Sequence, residues 1–302
     1  MNVLELDCVR KAYDGHVAVD GLSLAIADGA IFGLLGPNGA GKTTAIRMMV
    51  GIIAPDAGTM RMFGEPLARR HLRQVGYIPE ERGLYRKIRL GEHLRFLGRL
   101  NGMTRAAADA AALGWSRRLG LDAWLERRVE ELSKGMQQKA QFIAAVMHRP
   151  RLLILDEPFS GLDPVNTAAL IDVLEELRRA GATILFSTHR MDQVERLCDS
   201  ICLIDRGRAV IAGGLREIRA RFGGHSVAIA FVGDANFLDD ARLVADCVRR
   251  DGHVEVRLSP GADPQELLRR AIGSARVTRF EAIEPSLEEI FIALVGGAAD
   301  GR

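Results

Sequence analysis

Residues 31–43 read Ile31-Phe32-Gly33-Leu34-Leu35-Gly36-Pro37-Asn38-Gly39-Ala40-Gly41-Lys42-Thr43, and Thr44-Ala45-Ile46-Arg47-Met48-Met49 come next. The apolar run at 31–35 has the length of a buried strand. It breaks into Gly36–Thr43, a match to the pattern Gly-x-x-x-x-Gly-Lys-Ser/Thr. Glycines at such positions let a backbone wrap closely enough for successive N–H groups to point at one anion. The periodicity from Thr43 to Ile53 predicts a helix whose positive end falls on the same anion. Strand, glycine loop and helix together predict a nucleoside triphosphate site. The loop residues Gly36, Pro37, Asn38, Gly39, Ala40 and Gly41, with Lys42, Thr43 and Thr44, are its expected lining. Lys42 is expected on the β- and γ-phosphates of ATP, and the Thr43 hydroxyl on Mg²⁺.

Further along, Arg151-Leu152-Leu153-Ile154-Leu155-Asp156-Glu157-Pro158 is a second buried-strand pattern that ends in two carboxylates. Delivered at the edge of a sheet beside the phosphate loop, Asp156 would hold the Mg²⁺ through water, and Glu157 would act as general base on the attacking water.

Five further segments then fall in order around these two. Tyr13 precedes the phosphate loop, and Val75-Gly76-Tyr77-Ile78-Pro79-Glu80 comes after it. Leu132-Ser133-Lys134-Gly135-Met136-Gln137-Gln138 precedes the acidic strand, Phe159-Ser160-Gly161-Leu162-Asp163 comes after it, and Ser187-Thr188-His189 closes the series. The ordered set, over residues 1 to about 215, resembles the ATP-binding-cassette (ABC) family. The resemblance implies a P-loop α/β fold: a RecA-like core with an inserted helical subdomain at about 88–145. It also implies that Tyr13 stacks on adenine, that Glu80 occupies the γ-phosphate-sensing loop as a metal contact, and that His189 is the switch histidine. Ser133 and the Gly135 backbone would meet the terminal phosphate held by a second copy, so ATP binding makes a homodimer that works on separate transmembrane permease subunits. Three positions depart from the family pattern. Lys134 and Met136 stand where it has Gly and Gln, and Glu80 stands where it has Gln. The rival class, a soluble ABC ATPase acting on ribosomes or DNA, ordinarily brings a second cassette or a long coiled-coil insertion, and neither is present in this chain.

The remaining pattern is consistent with that core. Residues 3–26 read as strands, about 88–145 as largely helical, 166–180 as a helix, 183–189 as a strand, and 200–214 as a hairpin turning at Arg206-Gly207. After about 215 the texture changes to strands at 226–233, 253–260 and 276–285, with helices at 264–275 and 286–296. Ser286 and Glu289 are spaced as a capping box. This describes a small C-terminal α+β domain over 216–302, with no internal repeat. The segments Pro79–Tyr85 and Glu284–Phe291 resemble the bacterial branch of sodium-export and drug-export ATPases, which implies an exporter.

Bulk composition narrows the classes. Hydrophobic residues make up 48% and charged residues 26% of 302, a globular balance. A net charge of +2 argues against nucleic acid as the main ligand, and Arg69-Arg70, Arg117-Arg118 and Arg178-Arg179 read as solvated helix faces. No run reaches the ~20 apolar residues of a membrane span, and Glu5 and Asp7 interrupt any signal-peptide core. The expected location is cytoplasmic, peripheral on the inner face of the membrane through the permease. Cys198 and Cys202 read as buried small side chains where a helix gives way to a strand.

Overall fold

The computed structural model of the chain describes residues 1–81, 83–222, 226–283 and 285–296. Arg82 and Glu284, which stand in the two exporter-like segments, lie outside the described residues. The chain forms two compact units that divide after Gly213.

In the first unit the strands are β1 (Asn2–Tyr13), β2 (His16–Ala27), β3 (Ile31–Leu35), β4 (Ala57–Met62), β5 (Glu65–Pro66), β6 (Val75–Ile78), β7 (Leu152–Asp156), β8 (Thr183–Thr188), β9 (Ser200–Asp205) and β10 (Arg208–Gly214). The helices are α1 (Lys42–Met49), α2 (Leu90–Leu100), α3 (Arg105–Arg118), α4 (Lys134–Val146), α5 (Pro164–Arg179) and α6 (Met191–Leu197). The central sheet has the order β10-β9-β3-β8-β7-β6. Strands β9, β3, β8, β7 and β6 run parallel to one another. Every residue of β3, β7 and β8 is buried. This explains why these strands read as unbroken apolar runs: both faces of a parallel sheet are covered. A second, antiparallel sheet, β2-β1-β4-β5, shares a core with α1 and the central sheet through Leu4, Ile26, Ile46, Met62 and Leu34. Each fully buried side chain of this kind contributes about 1.5–3 kcal/mol of transfer free energy.

The central sheet positions the site. Parallel strands β3, β8, β7 and β6 lie side by side, so their carboxyl ends open on one edge. At that edge the chain runs on from them into the phosphate loop, His189, Glu157 and Pro79-Glu80 respectively. In open α/β sheets this edge is where ligands bind. Helices α2, α3 and α4 pack on one another and form the inserted helical layer.

The second unit contains α7 (Leu215–Phe222), β11 (Ser226–Gly233), β12 (Val244–Arg250), β13 (His253–Leu258), α8 (Pro264–Ser274), β14 (Ala275–Ala282) and α9 (Leu287–Gly296). Its sheet runs β12-β13-β11-β14, all antiparallel, over a core of Val227, Ile229, Phe237, Val256, Leu267 and Ala271. The Ser286–Glu289 capping box forms in both directions: Ser286 N–H reaches Glu289 Oε2 at 2.8 Å, and Glu289 N–H reaches Ser286 Oγ at 3.2 Å.

Several expectations need correction. The helix after the phosphate loop ends at Met49, not Ile53, because Gly51 takes a left-handed conformation (φ 67°) that stops it. Helix α5 begins at Pro164, two residues early, because the Asp163 side chain caps it by accepting from Asn166 N–H at 2.9 Å. Strands β4, β5, β6 and β12 and helix α7 went unread, whereas α6 is the helix expected to give way to a strand at Cys198. Cys198 and Cys202 are buried, and burial pushes the Cys202 thiol up to about 12. Among the described residues no helix is long and apolar enough to cross a membrane.

Candidate functional site

A groove of about 380 Å³ is lined by Tyr13, His16 and Ala18 and by Lys42, Thr43, Glu80, Asp156 and Glu157. Asn38, Gly39, Gly41 and Thr44 line it as well. The β1–β2 hairpin brings Tyr13 and His16 there, since they pair across its Asp14-Gly15 turn. Tyr13 is 42% exposed, with the Lys11 ammonium 5.7 Å from its ring centre. An aromatic face left this open is free to stack on a planar base.

The phosphate loop is held by packing against backbone. Gly41 caps α1 at φ 106°, and a Cβ there would lie 2.3 Å from the carbonyl oxygen of Ala18. Glycine is therefore required twice, for the dihedral and for the close approach. The Lys42 ammonium donates to the carbonyls of Gly36 (2.7 Å) and Pro37 (3.0 Å), which folds the side chain back over the loop. Burial pulls the Lys42 pKa down, opposed by the carboxylates of Glu157, Asp156 and Glu80. Ala40, within the loop, is buried. The first-turn amides of α1 supply the N–H end of a helix dipole at the same place.

The carboxylates Asp156 and Glu157 follow one another at the end of β7, beside β8. Asp156 is 1% exposed at the end of β7, directly beside Ser187 of β8 in the strand register. Ser187 Oγ donates to Asp156 Oδ1, while Asp156 Oδ2 is buried with no hydrogen-bond partner. Burial raises the Asp156 pKa, opposed by the hydroxyls of Ser187 and Thr43. Glu157 has a left-handed backbone (φ 50°), and its N–H reaches Ser187 Oγ at 3.1 Å and Ser187 O at 3.3 Å. Its Oε1 lies 2.9 Å from His189 Nδ1. Glu157 is mostly covered, at 13% side-chain exposure, whereas His189 is open at 57%.

Thr43 Oγ1 donates to Glu80 Oε2 at 3.4 Å. Among the described residues no group of three or more His, Cys, Asp or Glu side chains could hold a metal by itself. That suits Mg²⁺ on a nucleotide, which takes one or two protein oxygens and fills its octahedron with phosphate and water. The orphaned Oδ2 of Asp156 and the Thr43 hydroxyl are hard oxygen donors on residues that line the same groove, and they fit such an ion.

Ser133 and Gly135 do not line this groove. Ser133 is the N-cap of α4, its Oγ accepting from Met136 N–H at 3.3 Å. The start of α4 lies beside the Gly161-Leu162 turn, since a Cβ on Gly135 would meet Leu162 Cδ2 at 3.7 Å. Gln138, the last residue of the segment Leu132–Gln138, donates to Pro158 O at 2.9 Å and ties the same helix to the turn after Glu157.

Fold and groove define a P-loop nucleotide-binding cassette. Profiles of known families agree: that of the ABC transporter matches residues 19–160, and that of the ATP-binding protein DrrA1-3-like C-terminal domain matches 213–295. An uncharacterized ABC transporter ATP-binding protein, YhaQ of Bacillus subtilis (strain 168), is 42% identical over 97% of this chain and 99% of its own length. The Nod factor export ATP-binding protein I of Paraburkholderia xenovorans (strain LB400) is 37% identical over 97% of each. A solved structure of an ATP-binding subunit of an ABC transporter superimposes with a TM-score of 0.69 at 34% identity, covering 73% of this chain and 93% of its own. The chain belongs to the ABC transporter ATP-binding protein family.

Proposed function

We propose that this subunit hydrolyses ATP to drive export through separate permease chains, acting as a homodimer at the inner face of the membrane. The observation that carries the reading is the division of labour between two surfaces. Lys42, Thr43, Asp156 and Glu157 share one groove, while the capped N-terminus of α4 at Ser133 stands outside it. A helix start, with its positive dipole end and a serine hydroxyl, suits a terminal phosphate, and a second copy related by a two-fold axis supplies one. The 37% identical relative named for Nod factor export supports the direction of transport.

In this mechanism the loop amides and Lys42 hold the β- and γ-phosphates, and Tyr13 stacks on the base. Asp156, Thr43 and Glu80 are the residues that would hold Mg²⁺, which when bound neutralises charge developing on the phosphate oxygens. Glu157 takes a proton from the attacking water. His189, hydrogen-bonded to Glu157, holds that carboxylate in place and reaches toward the terminal phosphate. Replacing Glu157 by Gln removes the base but keeps an oxygen for His189. Phosphate release should fall about 10²–10⁴-fold, and the variant should run as a dimer with ATP by light scattering. Turnover at the wild-type rate, or a variant that stays monomeric with ATP, would count against the proposal.

A further inference from the structure

We propose that Ser187 is a positioning residue: one buried hydroxyl sets both the metal-side carboxylate, Asp156, and the peptide of the general base, Glu157. This rests on the ATPase reading above. A serine hydroxyl has one donor and two acceptor sites. Ser187 uses the donor on Asp156 Oδ1 and one acceptor site on the N–H of Glu157 at 3.1 Å. The residue is 0% exposed, so no water competes for these bonds.

Each bond has a consequence for the groove. With Oδ1 taken by Ser187, the Asp156 carboxylate cannot turn about its last torsion without losing a buried bond. That leaves Oδ2, which is buried without a hydrogen-bond partner on a residue that lines the nucleotide groove, as the oxygen for a metal or its water. On the other side, Glu157 departs from the strand at φ 50°, a conformation that is unfavourable for a residue with a side chain. The paired acceptors of Ser187, its Oγ and its carbonyl, hold the Glu157 N–H through that bend, and Ser160 N–H closes the turn on Glu157 O at 3.1 Å. The register that places Ser187 beside Asp156 also puts His189 two residues on, within reach of the Glu157 carboxylate. One side chain on β8 thus couples the aim of two carboxylates that have different tasks.

The test compares Ser187→Ala, which deletes the hydroxyl, with Ser187→Thr, which keeps it. Mn²⁺ serves as the probe, read by electron paramagnetic resonance on full-length protein with a non-hydrolysable ATP analogue. Nucleotide affinity is measured separately in EDTA, where the loop and Lys42 act without metal. Ser187→Ala should weaken Mn²⁺ about tenfold, the lower end of what losing a partner of a metal-binding carboxylate does. Its metal-free nucleotide affinity should stay within about twofold, and Ser187→Thr should restore Mn²⁺ binding. Should Ser187→Ala not fold, Ser187→Cys, close in size but a weak donor, carries the same comparison. Equal Mn²⁺ affinity in the hydroxyl-free variant and the wild type would overturn the inference and leave the ATPase reading standing. Equal loss of metal-free and metal-dependent binding would overturn it too, as the mark of a purely structural residue. Wild-type protein that binds no Mn²⁺ with the nucleotide would overturn both.

Discussion

Gly41→Ala probes the phosphate loop most sharply, because the structure sets the size of the insult. The new Cβ would sit 2.3 Å from the Ala18 carbonyl oxygen, and ordinary contact begins at 3.4 Å. Neither atom is the end of a flexible side chain, so loop and β2 must separate by about 1.1 Å. Left-handed backbone at φ 106° adds roughly 1–2 kcal/mol, and forcing extra volume into packed surroundings adds about 1–3 kcal/mol. Gly39→Ala, in the same loop at φ 79°, meets nothing within 4 Å and incurs the dihedral cost alone. Nucleotide-free protein should therefore melt several degrees lower for Gly41→Ala than for Gly39→Ala. A displacement near 1 Å should also cost Gly41→Ala about 10²-fold in turnover, through misaimed amides and Lys42. Calorimetry without nucleotide and a phosphate-release assay read the two effects. Identical melting of the two variants, or wild-type turnover in Gly41→Ala, would refute the reasoning.

Two other substitutions test the electrostatics. Glu80→Gln keeps a hydrogen bond to Thr43 but loses the charge, so half-saturating Mg²⁺ should rise about fivefold, matching the ~1 kcal/mol gap between charged and neutral hydrogen bonds; superimposable Mg²⁺ titrations would reject a metal role for Glu80. Asp156→Asn should lose Mg²⁺-dependent hydrolysis yet stabilise the nucleotide-free protein at neutral pH. Burial raises the Asp156 pKa above its ordinary 3.8, so the folded protein takes up a proton that the unfolded chain has released. Stability is therefore lost as pH climbs from 3.8 through the raised value, and the neutral Asn escapes that loss. Melting curves should separate at pH ~7 and converge toward pH ~4; a variant less stable than wild type at neutral pH would contradict the sign.

How much the chain alone discloses depends on how each signal is stored. The phosphate loop and the Asp156-Glu157 strand are contiguous, and their chemistry comes from residue type and order. The apolar runs of β3, β7 and β8 read as strands for the same reason. Strand β12 did not, because all its residues after Val244 are exposed and no alternation marks a buried face. Helix α7 is eight residues long, too short to impose a period. Ser187 was legible only as a neighbour of His189. Its hold on Asp156, 31 residues away, depends on which strands lie side by side. Gln138 and Ala18 belong to the same kind: a buried amide reaching Pro158 and a carbonyl that fixes Gly41 are products of tertiary packing.

The claim on which the rest depends is that one triphosphate is gripped by two copies of the chain. A crystal structure of the Glu157→Gln protein with Mg-ATP tests it directly. The account predicts two nucleotides sandwiched between two copies, with Ser133 Oγ and the Gly135 N–H each about 3 Å from a terminal phosphate held by the Lys42 loop of the other copy. A bound nucleotide with the Ser133 turn facing solvent, and no second copy near its terminal phosphate, would contradict it.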